Sequence, residues 1–245
     1  MPGGFGVTVF FFISGFLITR LLLAEHEKKG RIGLKDFYIR RFVRLYPALL
    51  FMVFATTAIY MLASWGGPKI LEFLSAVFYG TNIYQVSVRS GGELPFMPWT
   101  HLWSLAVEEH FYLMFPLFMV FMGGKWKRAA KLLFGIIIAA AVWRLTIYYA
   151  TDLAQYDYNY MMTDTRLDSI LFGCALAVAG NPAIEQDQQI SERILKYILL
   201  PLGCVFLLGS LVIRTDTFRD TLRYSIQGVA LYPIFIAAIR FPDWL

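Results

Sequence analysis

Charge is what this sequence most lacks: 16% of its 245 residues are Asp, Glu, Lys or Arg, against about a quarter in soluble domains. Cysteine is scarce at two residues and histidine at three. Such scarcity excludes a disulfide-stapled fold. Cys174 and Cys204 each sit inside an apolar run, far from any His/Asp/Glu cluster, and read as packing residues with no metal site. Internal repeats, low-complexity tracts and linkers are also missing, so residues 1–245 are expected to form a single domain. No cleavable leader is read at the start. Met1–Gly4 carries no basic side chain, and no small-residue cleavage site follows the apolar stretch.

What is present is apolar surface in long runs. Hydrophobic residues make up 58% and aromatics 17%, with a mean hydropathy of +0.58. A membrane-crossing helix needs about 20 predominantly apolar residues. Runs of that kind cover 5–23, 43–65, 100–122, 132–150, 197–213 and 222–239, and a shorter one covers 167–180. The expected fold is therefore all-α, a polytopic transmembrane helical bundle of about seven spans. Between the second and third spans, residues 66–99 contain a half-apolar piece, ILEFLSAVFYGTNIY, expected as an interfacial helix.

The net charge of +5 would suit nucleic acid, but its distribution argues for a membrane. Seven basic residues lie from Lys28 to Arg44 and four from Lys125 to Lys131, both clusters abutting apolar runs. With the 24–44 loop placed in the cytoplasm, alternation gives the inner loops seven, four and two basic residues and the outer loops two, none and two. That bias orients the chain with its N-terminus outside.

Polar residues inside the spans carry the functional signal, because an ionisable group at mid-bilayer costs at least about 2.5–3.5 kcal/mol and so faces a bundle interior or cavity. The segment PWTHLWSLAVEEHFYLMFP places His101, Ser104, Glu108, Glu109 and His110 at or within the third span. His101, Leu105, Glu108 and Tyr112 share one helical face. At about 1.5 Å rise per residue Glu108 lies roughly 13 Å below the Trp99 end, near mid-membrane, and Ser14 of the first span lies at a similar depth. Two readings stand for the carboxylates: an acid/base or substrate-orienting group, or a structural partner of Arg144 in the fourth span. Gly15 reads as a close-packing site between helices, while Ser14 could donate a hydrogen bond into a cavity. Arg40, Arg41 and Arg44 fan around one turn at the cytoplasmic surface. Guanidinium forks there suit phosphate, and an anchor for anionic lipid is the equal alternative. Arg166 and Asp168 open the short fifth span and are expected to form an outer-surface ion pair. His26 is expected to be solvated.

Four blocks go further: GVTVFFFISGFLITRLLL, GRIGLKDFYIRRFVRLYPALL, HLWSLAVEEHFYLMFP and RLDSILFGCALA. Their order and spacing resemble acyltransferase family 3, the bacterial inner-membrane O-acyltransferases of surface glycans such as lipopolysaccharide O-antigen and peptidoglycan. The resemblance covers residues 5–177; the last 65 residues are similar only in general character. It implies a membrane-bound O-acyltransferase that moves an acyl group, often acetyl, from cytoplasmic acyl-CoA to a hydroxyl of an extracytoplasmic glycan or lipid-linked acceptor. No bound cofactor is implied and acyl-CoA is a donor substrate; membrane lipid is a partner and nucleic acid is not. The family's Arg-x-x-Arg falls on Arg41 and Arg44, facing the CoA phosphates with Arg40 beside them. Glu108 and Glu109 fall along the transfer path, and His101 near its outer mouth. An alcohol acceptor needs a general base and a thioester needs its oxyanion stabilised, so these residue types fit.

One departure matters. Family members carry an earlier helix with an Arg and, about a dozen residues on, a His regarded as catalytic, and they usually have about ten spans. This chain starts just before GGFGV. The resemblance therefore implies a partial sequence lacking the first helix and the last ones, inactive as given. The alternative from another class is a proton-coupled transporter or flippase using the same polar interior. It would call for inverted repeats, and the sequence has no internal symmetry.

Overall fold

The computed structural model describes residues 3–179 and 191–241, and every regular element among them is helical. The chain runs α1 (Gly3–Lys29), α2 (Leu34–Leu62), α3 (Ile70–Val77) and α4 (Thr81–Ser90), then α5 (Leu102–Met122) and α6 (Trp126–Ala150). The short α7 (Tyr158–Met161) leads into α8 (Thr163–Ala179). After the undescribed stretch come α9 (Glu192–Ile194), α10 (Leu200–Val212), α11 (Asp216–Asp220) and α12 (Arg223–Arg240). Part of the expected inner loop, residues 181–190, lies outside the described residues, as does the end of the fifth expected span, Gly180.

Five segments among the described residues are long and apolar enough to cross a membrane: Gly4–Lys29, Leu34–Leu62, Leu102–Met122, Trp126–Ala150 and Glu192–Val212. The chain is a multi-pass membrane protein. The helices reach further than the apolar runs, α2 starting at Leu34 rather than Val43 and α6 at Trp126 rather than Leu132. The added turns carry Lys35, Asp36, Arg40 and Arg41 in α2, and Lys127, Arg128 and Lys131 in α6. Hydropathy registers only the lipid-crossing part of a helix, whereas the backbone ladder continues into the headgroup region.

The fifth and seventh expected spans form helices as well, but α8 has 17 residues and α12 carries several polar ones. For α8 the reason is position. It packs along α1, α6 and α12 and touches α5, so Thr165, Arg166 and every residue from Asp168 to Ala177 are buried. A helix wrapped by protein needs no lipid-compatible face. By contrast α2 lies at the edge, burying only Phe37, Leu49 and Val53.

Close approach of α1 to α8 sets the frame. A Cβ on Gly15 would collide with the Ile170 carbonyl oxygen, and one on Gly173 with the Phe12 carbonyl oxygen. Two glycines facing each other's backbone let the helices touch, the packing expected for Gly15. Replacing Gly173 with Ala is expected to cost about 1–3 kcal/mol, because backbone rather than a flexible side chain must move. Thermal unfolding of the purified variant checks this, with Gly135→Ala, whose Cβ would meet open space, as the control that stays near wild type.

The half-apolar loop piece is not one helix. It divides into α3 and α4 at Phe78–Gly80, where Tyr79 holds a left-handed φ of 56°. A second, smaller core locks this region: Leu49 and Val53 of α2 meet Ala76, Trp99 and Leu102. The Trp99 indole Nε1 donates to Thr56 Oγ1 at 2.8 Å and Gln85 Nε2 donates to the Trp99 carbonyl at 3.1 Å. The fold thus fixes the C-terminal end of α2 and the N-terminal end of α5 relative to one another.

In the sixth span Leu195–Leu199 forms a π-turn, just before Pro201, whose missing N–H disrupts the α ladder at that point. His26, expected to be solvated, is half-buried. Its ring packs edge-on against Trp126 with centroids 5.1 Å apart.

Candidate functional site

Glu108 is the hub. Its Oε1 accepts from the Ser14 hydroxyl of α1 and from the Tyr112 hydroxyl one turn further along α5. The carboxylate is 4% exposed and Ser14 is 9% exposed. Depth along two separate helices had placed these residues at one level, and the packing of α1 on α5 brings the side chains into contact. Below them Arg41 of α2 stacks on the Tyr112 ring, Cζ 3.6 Å from its centroid. Pro116 cannot donate back along α5, and near this break the Tyr38 hydroxyl of α2 donates to the Leu113 carbonyl at 2.7 Å. That bond helps hold α2 where Arg41 reaches the hub.

Glu109 turns to a different side of α5, yet the same guanidinium, with Glu108, supplies its charged surroundings. One oxygen, Glu109 Oε1, is buried with no hydrogen-bond partner among the described residues, and so is Arg41 Nε. A carboxylate oxygen and a guanidinium N–H, both desolvated and uncommitted, are groups that a substrate can engage without displacing an existing bond. The neighbouring Tyr79 phenol, outside the spans, is pushed up to about 12 by its burial, with the negative charge of Glu109 adding to the effect. It stays a neutral donor. His110 Nδ1 pairs with Thr163 Oγ1 at 2.8 Å, which also accepts from Asn82 Nδ2 at 3.1 Å.

The other arginines divide. Arg40 lies exposed, 3.8 Å from Glu25, and Arg44 is exposed on α2. Of the three guanidiniums expected to face phosphate, Arg41 alone enters the bundle. His101 precedes α5 at an exposed position, and at about 1.5 Å per residue it stands roughly 10 Å along the helix from Glu108. It joins no contact with the hub.

The structural alternative for the carboxylates, a pairing of Glu108 with Arg144, is not made. Arg144 and Asp168 are both fully buried and form a bidentate pair, Nη1 to Oδ1 at 3.1 Å and Nη2 to Oδ2 at 2.7 Å. Arg144 also donates to the Thr221 carbonyl at 2.6 Å, the Thr165 carbonyl at 2.5 Å and Ser225 Oγ at 2.6 Å. All five of its N–H bonds are thereby used. This overturns the surface ion pair expected between Arg166 and Asp168: the carboxylate belongs to α6's arginine, and neither residue is at the surface. Arg166 instead donates through Nη2 to Thr8 Oγ1 at 3.1 Å and lies 3.7 Å above the Tyr224 ring.

Sequence reading missed Thr8, Tyr160, Thr221, Tyr224 and Ser225 as partners of these arginines. Tyr160 closes the acidic, tyrosine-rich TDLAQYDYNY, a visible signal without an address. Hydroxyl and carbonyl groups at Thr221 and Ser225 gave none, since either residue fits any loop or helix end. Tyr112 stood on the Glu108 face by spacing, but its bridge to Arg41 needed α2 in place.

A family model described as an acyltransferase domain matches residues 1–245. A Staphylococcus aureus (strain COL) protein provisionally named an O-acetyltransferase is 35% identical over 261 residues, an alignment covering 100% of this chain and 42% of that protein. The O-acetyltransferase OatA of Staphylococcus aureus (strain NCTC 8325 / PS 47) is 34% identical over 229 residues, covering 89% of this chain and 36% of that protein. The chain thus spans well under half the length of these curated relatives. No solved structure matches it.

Proposed function

This chain belongs to the acyltransferase family whose domain model covers it, and from that membership we propose that it serves the transfer of an acyl group, acetyl in the first instance, from cytoplasmic acyl-CoA to a hydroxyl on the far side of the membrane. The observation that carries this reading is the line Arg41–Tyr112–Glu108–Ser14, which runs from the N-terminal third of α2 into mid-bundle with two uncommitted groups, Arg41 Nε and Glu109 Oε1, beside it.

In chemical terms the acceptor hydroxyl oxygen attacks the thioester carbonyl carbon and forms the new C–O bond. Its proton passes to Glu109, the carboxylate with a free oxygen. The tetrahedral intermediate collapses by breaking the C–S bond, and the leaving CoA thiolate takes the proton from Glu109, which returns to its carboxylate form. Glu108, with Oε1 already engaged by two hydroxyls, acts as a positioning residue that fixes Tyr112 and hence the Arg41 it carries. Arg41 answers the CoA phosphates or the developing oxyanion, either of which suits a preorganised cation in a desolvated site. Arg44 and Arg40, exposed at the inner surface, extend the same positive field outward. His101 lies on the acceptor side of the path. The bacterial inner membrane is the location this reading assigns, with a glycan or lipid-linked carrier as acceptor. A transporter reading gains no support from Arg144 and Asp168, since a relay needs exchangeable partners and this pair is saturated.

The test is binding. Acetyl-CoA is expected to raise the melting temperature of the purified chain saturably, and Arg41→Gln to weaken that response about ten-fold or more, the worth of a hydrogen bond to a charged group. The proposal fails if acetyl-CoA gives no saturable shift, or gives the same one in the variant.

A further inference from the structure

Arg166 is the buried charge that the transferase chemistry leaves unused. It is 0% exposed, yet Nε and Nη1 find no hydrogen-bond partner among the described residues. Only Nη2 is engaged, by a neutral threonine hydroxyl that itself donates to the Gly4 carbonyl at 3.2 Å. Asp168 could have compensated it, but both carboxylate oxygens are taken by Arg144, and Oδ2 also accepts from Ser225 at 2.7 Å. An uncompensated guanidinium among aromatic rings is costly, and the idle N–H groups on Nε and Nη1 are donors that carboxylate or phosphate oxygens satisfy with charge-assisted hydrogen bonds.

A second cation stands beside it. Arg223, at the start of α12, is half-buried with Nε buried and unpartnered among the described residues. Tyr160 links the two: Arg166 Cζ is 6.0 Å from its ring, and both its Cε2 atom and Arg223 Nη2 lie 3.3 Å from where a Gly4 Cβ would stand. Both side chains therefore pack closely against Gly4, where a larger residue would push them aside. Tyr224 spans the pair from below, 3.7 Å from Arg166 Cζ and 5.9 Å from Arg223 Cζ. Nearby negative charge does not cancel this. Asp157 is held by Arg89, and Asp220 faces Arg219 and Arg223, its carboxyl raised above the ordinary 3.8 chiefly by burial. The cluster sits at the outer end of the bundle, where α1, α8 and α12 all begin. Along α1, Thr8 is about 9 Å outward of Ser14 at 1.5 Å per residue, so the cluster stands above the Glu108 hub on the acceptor side.

We propose that Arg166 and Arg223, with Tyr160 and Tyr224, form an oxyanion-binding site that holds the acceptor by a carboxylate or phosphate group while its hydroxyl reaches the hub. This rests on the acyl-transfer reading for the acceptor's identity, but not for the site. The shared chemistry is a planar or tetrahedral oxyanion, which an acidic sugar or the diphosphate of a lipid-linked carrier would supply. Tyr160, half-buried on the rim, is the side chain that moves to admit it.

The probes are sodium glucuronate and inorganic pyrophosphate, titrated against the purified chain at constant ionic strength with melting temperature as the readout. One of them is expected to give a saturable rise. Arg166→Gln abolishes it, Arg223→Gln weakens it at least ten-fold, and Gly4→Val, which displaces Tyr160 and the Arg223 guanidinium while keeping both charges, does the same. A glucuronate response assigns a sugar acid and a pyrophosphate response a lipid carrier. Arg41→Gln retains the response, which separates it from phosphate binding at the cytoplasmic end. The proposal is overturned if neither probe acts on the wild type, or if Arg223→Gln and Gly4→Val both respond as the wild type does. These two variants decide the matter if Arg166→Gln does not fold. Acetyl-CoA is titrated in parallel: its failure sinks the transferase reading and leaves the anion result standing.

Discussion

Arg144→Met is expected to destabilise the bundle by about 3–5 kcal/mol, because it strands the fully buried Asp168 without its counter-charge. The loss should appear as poor recovery of monodisperse protein and a melting transition shifted far below wild type. The cause is desolvation rather than lost attraction. Taking a carboxylate into a bundle core costs several kcal/mol that the guanidinium, through its bidentate contact and three further acceptors, offsets. The double variant Arg144→Met, Asp168→Leu removes both charges and is expected to recover most of the loss. If the single variant melts like wild type, the pair is not the lock described here. If the double variant is worse than the single, Asp168 stabilises the bundle through its other partners, Ser225 and Ser169, rather than only through Arg144.

Glu109→Gln, introduced at the gene's own locus, is expected to lower acceptor acylation by roughly 10²–10⁴-fold, the range for loss of a general base. The amide keeps the side chain's shape but cannot accept a proton at neutral pH. Acetyl-CoA should stabilise this variant as it does the wild type, placing the defect in the chemical step rather than in donor binding. Ser14→Ala loosens only one of the two hydroxyls on Glu108 and is expected to cost less. Acylation that survives Glu109→Gln while failing in Glu108→Gln would reverse the roles given to the two carboxylates.

Much of this architecture was legible from the chain alone, and for physical reasons. Lipid imposes a length and an apolarity on each crossing helix, so α1, α2, α5 and α6 announced themselves. Gly15 told of a close helix contact because only small residues permit one. Depth counted along two helices put Ser14 level with Glu108, and packing then joined them. Where reading failed, the missing quantity was a partner on a distant segment. Asp168 is two residues from Arg166 and twenty-four from Arg144, yet α8 turns it toward α6. Nothing local states that choice. Arg40, Arg41 and Arg44 look equivalent in sequence, and only the position of α5 decides that Arg41 is the one stacked on Tyr112. Likewise α8 reads as a marginal span until α1, α6 and α12 are seen to cover it.

Side-specific transfer tests the central claim most directly. In inverted membrane vesicles from cells carrying the gene, labelled acetyl-CoA is added outside, where it meets only the cytoplasmic face. The wild type is expected to place label on an acceptor enclosed in the lumen, and Arg41→Gln at the same locus to reduce that labelling about ten-fold or more, in line with the loss of a charged hydrogen bond at the donor end. Lumenal labelling that proceeds at the wild-type rate in Arg41→Gln, or that requires acetyl-CoA in the lumen, would contradict a path running from Arg41 through the Glu108 hub.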